Sequence, residues 1–216
     1  MQNIVVIDYS MGNLHSVHKA LQHVSKDKVT ITADADEIAK ADRIVFPGQG
    51  AARDCMSELH KRELVDVVRE VSKTKPFLGV CMGMQVLLEN SVEGGGVDCI
   101  GLYQGQVKSF KDHIDTTDAQ GNRLKIPQMG WNRVSHTQDH PIWKGIESGS
   151  RFYFVHSYFI DPIDKSIIAG ETDYGVNYPS AIAKDNVFAI QAHPEKSADD
   201  GLQLLKNFTT WDGAAS

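Results

Sequence analysis

A cysteine held between two glycines, in Gly79-Val80-Cys81-Met82-Gly83, stands where an apolar strand-like run gives way to a helix-like one. That arrangement suits a nucleophile elbow: a tight turn lifts the reactive side chain off the strand end, and glycines two residues to either side avoid clashes. The amino end of the following helix favours an anion, and so a thiolate. The backbone N–H of Met82 would face an oxyanion formed on a substrate. The alternative for this segment alone is an inert strand cysteine, since free cysteines are among the most buried residues.

A thiol nucleophile needs a base, and the base needs a group to orient it. Gln191-Ala192-His193-Pro194-Glu195 supplies both types, directly after a strand-like run over 187–191. Side chains two apart on extended chain share a face, and Pro194 restricts His193 to extended backbone. Glu195 is expected to fix one tautomer of His193 while the other ring nitrogen faces the thiol. A surface turn with a solvated His and Glu is the alternative. Phe46-Pro47-Gly48-Gln49-Gly50 is a third strand end. Its glycines let the backbone approach a substrate and aim N–H groups at an oxyanion, although a plain turn is the default for such a sequence. The same freedom makes Gly48-Gln49-Gly50 a candidate two-state element.

Other groups compete weakly. His15 and His18 share a helix face but lack an evident third metal ligand. His136 and His140 are expected to be solvated in a polar loop beside Pro141. His156 has no acid two residues on and reads as a packed strand histidine. Cys55 and Cys99 have no elbow around them. Gly94-Gly95-Gly96 lacks a following Lys-Ser/Thr, which excludes a P-loop.

The chain that must position these groups has 216 residues, 41% hydrophobic and 23% charged, so neither disorder nor a fibrous class fits. No repeat or linker divides it, and residues 1–216 are read as a single domain. A net charge of −6 with no Lys/Arg cluster argues against nucleic acid or an anionic membrane as partner. The longest uncharged stretch, 76–88, is shorter than the roughly 20 residues of a membrane span. The N-terminus shows no basic leader. Three cysteines without a CxxC fit a reducing compartment, and a cytoplasmic location is expected.

Residues 3–8 form a run of the buried parallel-strand type. Leu14, Val17, Leu21 and Val24 then mark a helix face. Residues 43–46 read as a second strand, Leu64, Val67, Val68 and Val71 as another helix face, 76–81 as a third strand and 82–90 as a helix. This alternation implies a parallel sheet covered on both faces. From Gly94 the pattern changes: 111–123 is polar and aperiodic, and β-rich runs follow at 152–159, 166–170, 180–184 and 187–191. A last helix is expected from Ser197, whose spacing to Asp200 resembles a capping box, with Leu202, Leu205 and Phe208 facing inward.

Taken together, Gly79-Val80-Cys81-Met82-Gly83-Met84-Gln85 and His193-Pro194-Glu195 resemble the class I (triad) glutamine amidotransferases. Within them the likeness is to the glutaminase subunits of imidazole glycerol phosphate synthases, in histidine biosynthesis. It runs nearly end to end, through Asp8-Tyr9-Ser10-Met11-Gly12-Asn13-Leu14, Pro47-Gly48-Gln49-Gly50, Ile126-Pro127-Gln128-Met129-Gly130-Trp131-Asn132, Tyr153-Phe154-Val155-His156-Ser157-Tyr158 and Gln191 to Ser197. Met84 stands where anthranilate synthase glutaminases usually carry His. Gln49 stands where the family often has Val, and Ala192 where an aromatic is common.

The resemblance implies a flavodoxin-like three-layer α/β fold, with a mostly parallel central sheet, helices on both faces and a β-rich second half. It implies Cys81 as nucleophile on the side-chain amide of L-glutamine, His193 as general base and acid, and Glu195 as its orienter. A glutamyl thioester would be hydrolysed to glutamate, with ammonia released. Gly48, Gln49, Gly50 and Met82 would form the oxyanion hole. Gln85, Glu93, Ser157 and Tyr158 would hold glutamine, with Glu93 facing its α-amino group. Ammonia would pass to a (β/α)8-barrel cyclase subunit in a heterodimer, making imidazole glycerol phosphate and an aminoimidazole carboxamide ribotide. Asn13, Trp131, Tyr153 and Lys196 would lie at that interface. No metal or organic cofactor is implied. Two other readings stay open: the same triad serving another ammonia-dependent synthase, and a non-catalytic regulatory subunit, against which the intact triad argues.

Overall fold

The computed structural model describes residues 2–114 and 124–214, so part of the polar segment read over 111–123 lies outside the described residues. The first half runs β1 (Asn3–Ile7), α1 (Leu14–Val24), β2 (Lys28–Thr32), α2 (Ala35–Ala39), β3 (Arg43–Gly48), α3 (Ala52–Lys61), α4 (Val65–Thr74), β4 (Phe77–Cys81) and α5 (Met82–Gln85). There follow β5 (Asn90–Ser91), β6 (Val97–Asp98), β7 (Gly105–Ser109), β8 (Gln128–His136), β9 (Ser150–His156) and β10 (Tyr158–Pro162). The chain continues through β11 (Ile168–Asp173), β12 (Asn177–Lys184), β13 (Val187–Ile190) and α6 (Ala198–Thr210).

Nine strands form one sheet in the order β2-β1-β3-β4-β13-β12-β11-β8-β9, and four form a second, β10-β7-β5-β6. The pairs from β2 through β13 are parallel; those from β13 outward to β9 are antiparallel. Continuous apolar runs make the central strands because both of their faces are covered. Ile4, Val6, Val45, Leu78, Val80, Phe188 and Ile190 pack with Val17 and Leu21 of α1 and Leu204, Leu205 and Phe208 of α6. Their alternates Val5, Ile7, Ile44, Phe46 and Phe77 pack with Cys55, Met56 and Leu59 of α3, Val68 of α4, and Val107 and Ile160 of the second sheet. The result is the expected three-layer α/β fold, flavodoxin-like, with a β-rich second half.

Several elements differ from the sequence expectation. The helix expected over 82–90 stops at Gln85. The carbonyls of Val86, Leu87 and Leu88, which would continue it, accept from the N–H groups of Ile100, Leu102, Tyr103 and Gly101 instead. The run over 152–159 is two strands in two sheets, broken at Ser157. The strand expected at 166–170 begins as a 3-10 turn, Lys165–Ile167, and continues to Asp173. Ser197 precedes α6 but makes no side-chain cap. Its hydroxyl donates to the His193 carbonyl at 2.6 Å and accepts from the Tyr153 N–H at 2.9 Å. His140 is buried rather than solvated. Its Nδ1 accepts from Ile142 N–H, and its ring packs between Phe188 and Trp211. His136 stacks on Trp143 with centroids 4.2 Å apart.

Candidate active site

Strand register brings the three chemistry-bearing segments together. Gly48, at the end of β3, is the direct partner of Cys81, at the end of β4. On the other side of β4, Val80 pairs with Ile190 of β13, so Gln191 and His193 emerge beside Cys81. All three strands run the same way, and their carboxyl ends form the edge at which open α/β sheets hold ligands.

Cys81 adopts φ 55° and ψ −113°, a region that costs a non-glycine residue about 1–3 kcal/mol and clusters at functional sites. The neighbouring glycines make the turn possible. A Cβ on Gly79 would come within 2.9 Å of the Ala189 Cβ, and one on Gly83 would overlap the Phe46 carbonyl oxygen. A Cβ on Gly48 would meet Gly83 N and the Met82 Cβ at 2.8 Å. The elbow and the turn after β3 are therefore in backbone contact. Because α5 has a single turn, the long-helix dipole expected from the sequence is missing at Cys81.

His193 is extended, with φ −99° and ψ 94°, but Pro194–Lys196 form a 3-10 turn. Glu195 thus reaches the ring by chain reversal and not by the strand alternation expected from the sequence. Its Oε1 lies 2.9 Å from His193 Nδ1, with both side chains almost fully buried. A carboxylate only accepts, so Nδ1 carries the proton, while Nε2 is buried with no hydrogen-bond partner among the described residues. Burial alone would pull the imidazole down; Cys81 and Glu195 outweigh it and push the pKa up to about 10. His193 is held from behind, its N–H donating to the Tyr153 carbonyl at 2.9 Å.

A cavity of about 380 Å³ opens over these groups, in the range of small-molecule sites. Its lining includes Gln49, Gly50, Met82, Gln85, Glu93, Ser157 and Tyr158, together with Cys81 and His193. Gln85 donates to the Tyr158 carbonyl at 3.0 Å and to Gln191 Oε1 at 2.9 Å. Its own Oε1 is buried without a hydrogen-bond partner among the described residues. The Gln49 carbonyl accepts from the Cys55 thiol at 3.5 Å. Gly48 lies just outside the lining, covered by Tyr9, whose hydroxyl donates to the Pro47 carbonyl at 2.8 Å.

Of the four residues expected at a partner interface, three form a row. Trp131 pairs with Tyr153 across β8 and β9 and meets it edge to face, and the Lys196 ammonium lies 5.9 Å from the Tyr153 ring centre. Tyr153 and Lys196 also line the cavity mouth, whereas Trp131 is 50% exposed outside it. Asn13 stands apart, capping α1 through a contact with Ser16 N–H; the adjacent Gly12 packs on Gly48.

The competing groups are structural. His156 is buried, with Nδ1 2.8 Å from the Tyr158 carbonyl and Nε2 3.2 Å from the Tyr178 hydroxyl. Burial lowers its pKa to about 4, and nearby His193 acts in the same direction. Burial pushes the Cys55 thiol up to about 12 and Cys99 up to about 11. Among the described residues no group of His, Cys, Asp or Glu is placed to hold a metal ion, and no helix is long and apolar enough to cross a membrane. One residue of the 191–195 segment carries no role in the sequence reading. Gln191 is fully buried and donates to Cys81 Sγ at 3.5 Å. Its signal was a polar side chain directly after the buried apolar run of β13.

Comparison with known proteins gives consistent results. The glutamine amidotransferase class-I family pattern matches residues 5–210. The imidazole glycerol phosphate synthase subunit HisH of Pseudomonas putida is 54% identical over 213 residues, covering 99% of each chain. The same subunit from Methylococcus capsulatus is 53% identical, covering 98% of each. Among solved structures, PurLQS from Thermotoga maritima superposes with a TM-score of 0.72 at 17% identity, over 97% of this chain and 99% of that one. A glutamine amidotransferase from Thermotoga maritima gives 0.59 at 13%, over 97% and 83%. At such identities the structural likeness speaks to the fold alone.

Proposed function

This chain belongs to the class-I glutamine amidotransferase family, and from that premise we propose that it is the glutaminase subunit of an imidazole glycerol phosphate synthase, in histidine biosynthesis. The Cys81 thiolate attacks the side-chain amide carbon of L-glutamine. The oxyanion that forms is met by the Met82 N–H and by the Gly48-Gln49-Gly50 turn. Protonated His193 gives its proton to the leaving nitrogen, and ammonia departs from a glutamyl thioester. Neutral His193 then takes a proton from water, which cleaves the thioester to glutamate and restores Cys81. Glu195 keeps the proton on Nδ1 throughout. Gln85, Glu93, Ser157 and Tyr158 hold the amino-acid end, Glu93 facing the α-amino group. The observation that carries this reading is the strained Cys81, beside a buried His193–Glu195 pair, in one cavity.

The curated relatives are subunits by name, and a partner subunit follows. We assign that partner as a (β/α)8-barrel cyclase, in a heterodimer that receives ammonia at the face carrying Asn13, Trp131, Tyr153 and Lys196. Half-exposed Trp131 and Met129, 65% exposed, support that face as a docking surface. The whole of residues 1–216 acts as one amidotransferase domain, in the cytoplasm. The test is co-purification with a barrel cyclase, then glutamine turnover with and without the cyclase's nucleotide substrate. Turnover should rise on docking and again with nucleotide. A chain that ignores the cyclase, or that releases no glutamate in its presence, refutes the assignment.

A further inference from the structure

Gln191 directly follows β13, completely buried, and its side chain bridges two parts of the site. Its Oε1 accepts from Gln85 Nε2 at 2.9 Å, and its Nε2 donates to Cys81 Sγ at 3.5 Å. The polarity of this chain of amides is set from outside it. Gln85 Nε2 also donates to the backbone carbonyl of Tyr158 at 3.0 Å, and a carbonyl can only accept. The nitrogen of Gln85 must therefore face Tyr158 and Gln191. The oxygen of Gln191 must face Gln85, and only its nitrogen remains for the sulfur. The Gln191 backbone is itself pinned, its N–H donating to the Ser180 carbonyl at 2.8 Å.

We infer that Gln191 is a positioning residue that donates a hydrogen bond to the Cys81 thiolate, stabilising the anion and holding its rotamer toward the substrate. The role rests on the reading of Cys81 as the glutaminase nucleophile. Hydrogen bonds to an ionised acceptor are stronger than those to a neutral one, so the donor favours thiolate over thiol. It does so without competing with His193 for a proton.

Two variants test this. Gln191→Glu keeps the shape and the acceptor for Gln85 but loses the donor toward sulfur. Gln191→Met loses both polar ends. Alkylation of Cys81 by iodoacetamide, followed by mass spectrometry across pH, reads the thiolate directly; buried Cys55 and Cys99 report any unfolding. Labelling at neutral pH should slow about tenfold in both variants, with the profile displaced to alkaline pH. In the complex with the cyclase, glutamine kcat should fall while KM changes little. Should Gln191→Met unfold, Gln191→Glu decides alone. Labelling profiles that match wild type overturn the inference, as does a loss confined to KM. Labelling needs no glutamine. A wild-type complex that never turns glutamine over would refute the functional reading and leave the labelling comparison to decide the part played by Gln191.

Discussion

The Glu93 carboxylate accepts a 2.7 Å hydrogen bond from the backbone N–H of Ala52, 41 residues away in sequence. Ala52 opens α3, whose own N-cap, Ala51, has no capping side chain. Glu93 therefore caps the helix that follows the Gly48-Gln49-Gly50 turn while lining the cavity over Cys81. Glu93→Gln should keep the cap and lose the charge proposed to face the substrate amine. Its expected signature is a raised KM for glutamine at nearly unchanged melting temperature. Glu93→Ala should lose both, costing about 1 kcal/mol of stability in addition. A Gln variant with wild-type KM would remove Glu93 from amine recognition.

Cys81 pays for its reactivity in backbone strain. Cys81→Ala should abolish glutamine-dependent synthesis and leave synthesis from free ammonia intact, if the cyclase chemistry lies in the proposed partner. Cys81→Gly should be equally inactive, yet more stable than Cys81→Ala by about 1 kcal/mol, since glycine takes a positive φ freely. Chemical denaturation of the two variants settles the point, and equal midpoints would argue that the turn is unstrained.

The His193–Glu195 pair makes a prediction with a definite sign. A histidine whose folded pKa is raised binds its proton more tightly in the folded state. With the value at about 10, its stabilisation is complete below roughly pH 6.5 and lost as pH rises through about 10. Unfolding midpoints should therefore decline over that alkaline window, and less steeply in His193→Asn. His193→Asn should cost nearly as much turnover as Cys81→Ala, and Glu195→Gln less, because the acid orients the ring without taking its proton. Double variants should be little worse than the worst single one.

His140 carries the opposite sign. Burial lowers its pKa to about 4, so the folded state disfavours its protonation. The stability it supports is present above about pH 6.5 and lost as pH falls through about 4. His140→Asn can still cap the Pro141–Trp143 turn but cannot titrate. It should flatten the acid limb of the stability profile without altering glutamine turnover, and an unchanged acid limb would place the acid sensitivity elsewhere.

What the sequence discloses and what it hides divide along one physical line. The Cys81 turn and the His193–Glu195 pair are legible because their cues are local: glycines two residues either side of Cys81, and Pro194 between His193 and Glu195. The first strands and α1 are legible because their periodicity is local too. The early end of α5 is hidden, because the carbonyls that would extend it are taken by residues 100–103. His140 looks like a loop residue until Phe188 and Trp211 close over it. Gln191 has no local cue beyond being polar at a strand end, since its partners Gln85 and Cys81 meet it only through strand pairing. The inner face of α3, Ala52, Cys55, Met56 and Leu59, did have helical spacing, diluted by the charged residues between them.

The position of β13 has a bearing on biosynthesis. It lies in the middle of the large sheet, between β4 and β12, yet follows both in sequence. As the polypeptide leaves the ribosome, Cys81 appears 110 residues before Gln191, an interval on the order of ten seconds at ordinary elongation rates. Until β13 slots in, the sheet has an open seam along β4 and the thiol has neither its base nor its amide neighbour. On the proposed mechanism, a nascent chain is thus barred from hydrolysing glutamine until β13 and the segment after it have been made. Truncation upstream of β13 would leave a split sheet with exposed edges, a substrate for chaperones and proteases in place of an idle glutaminase.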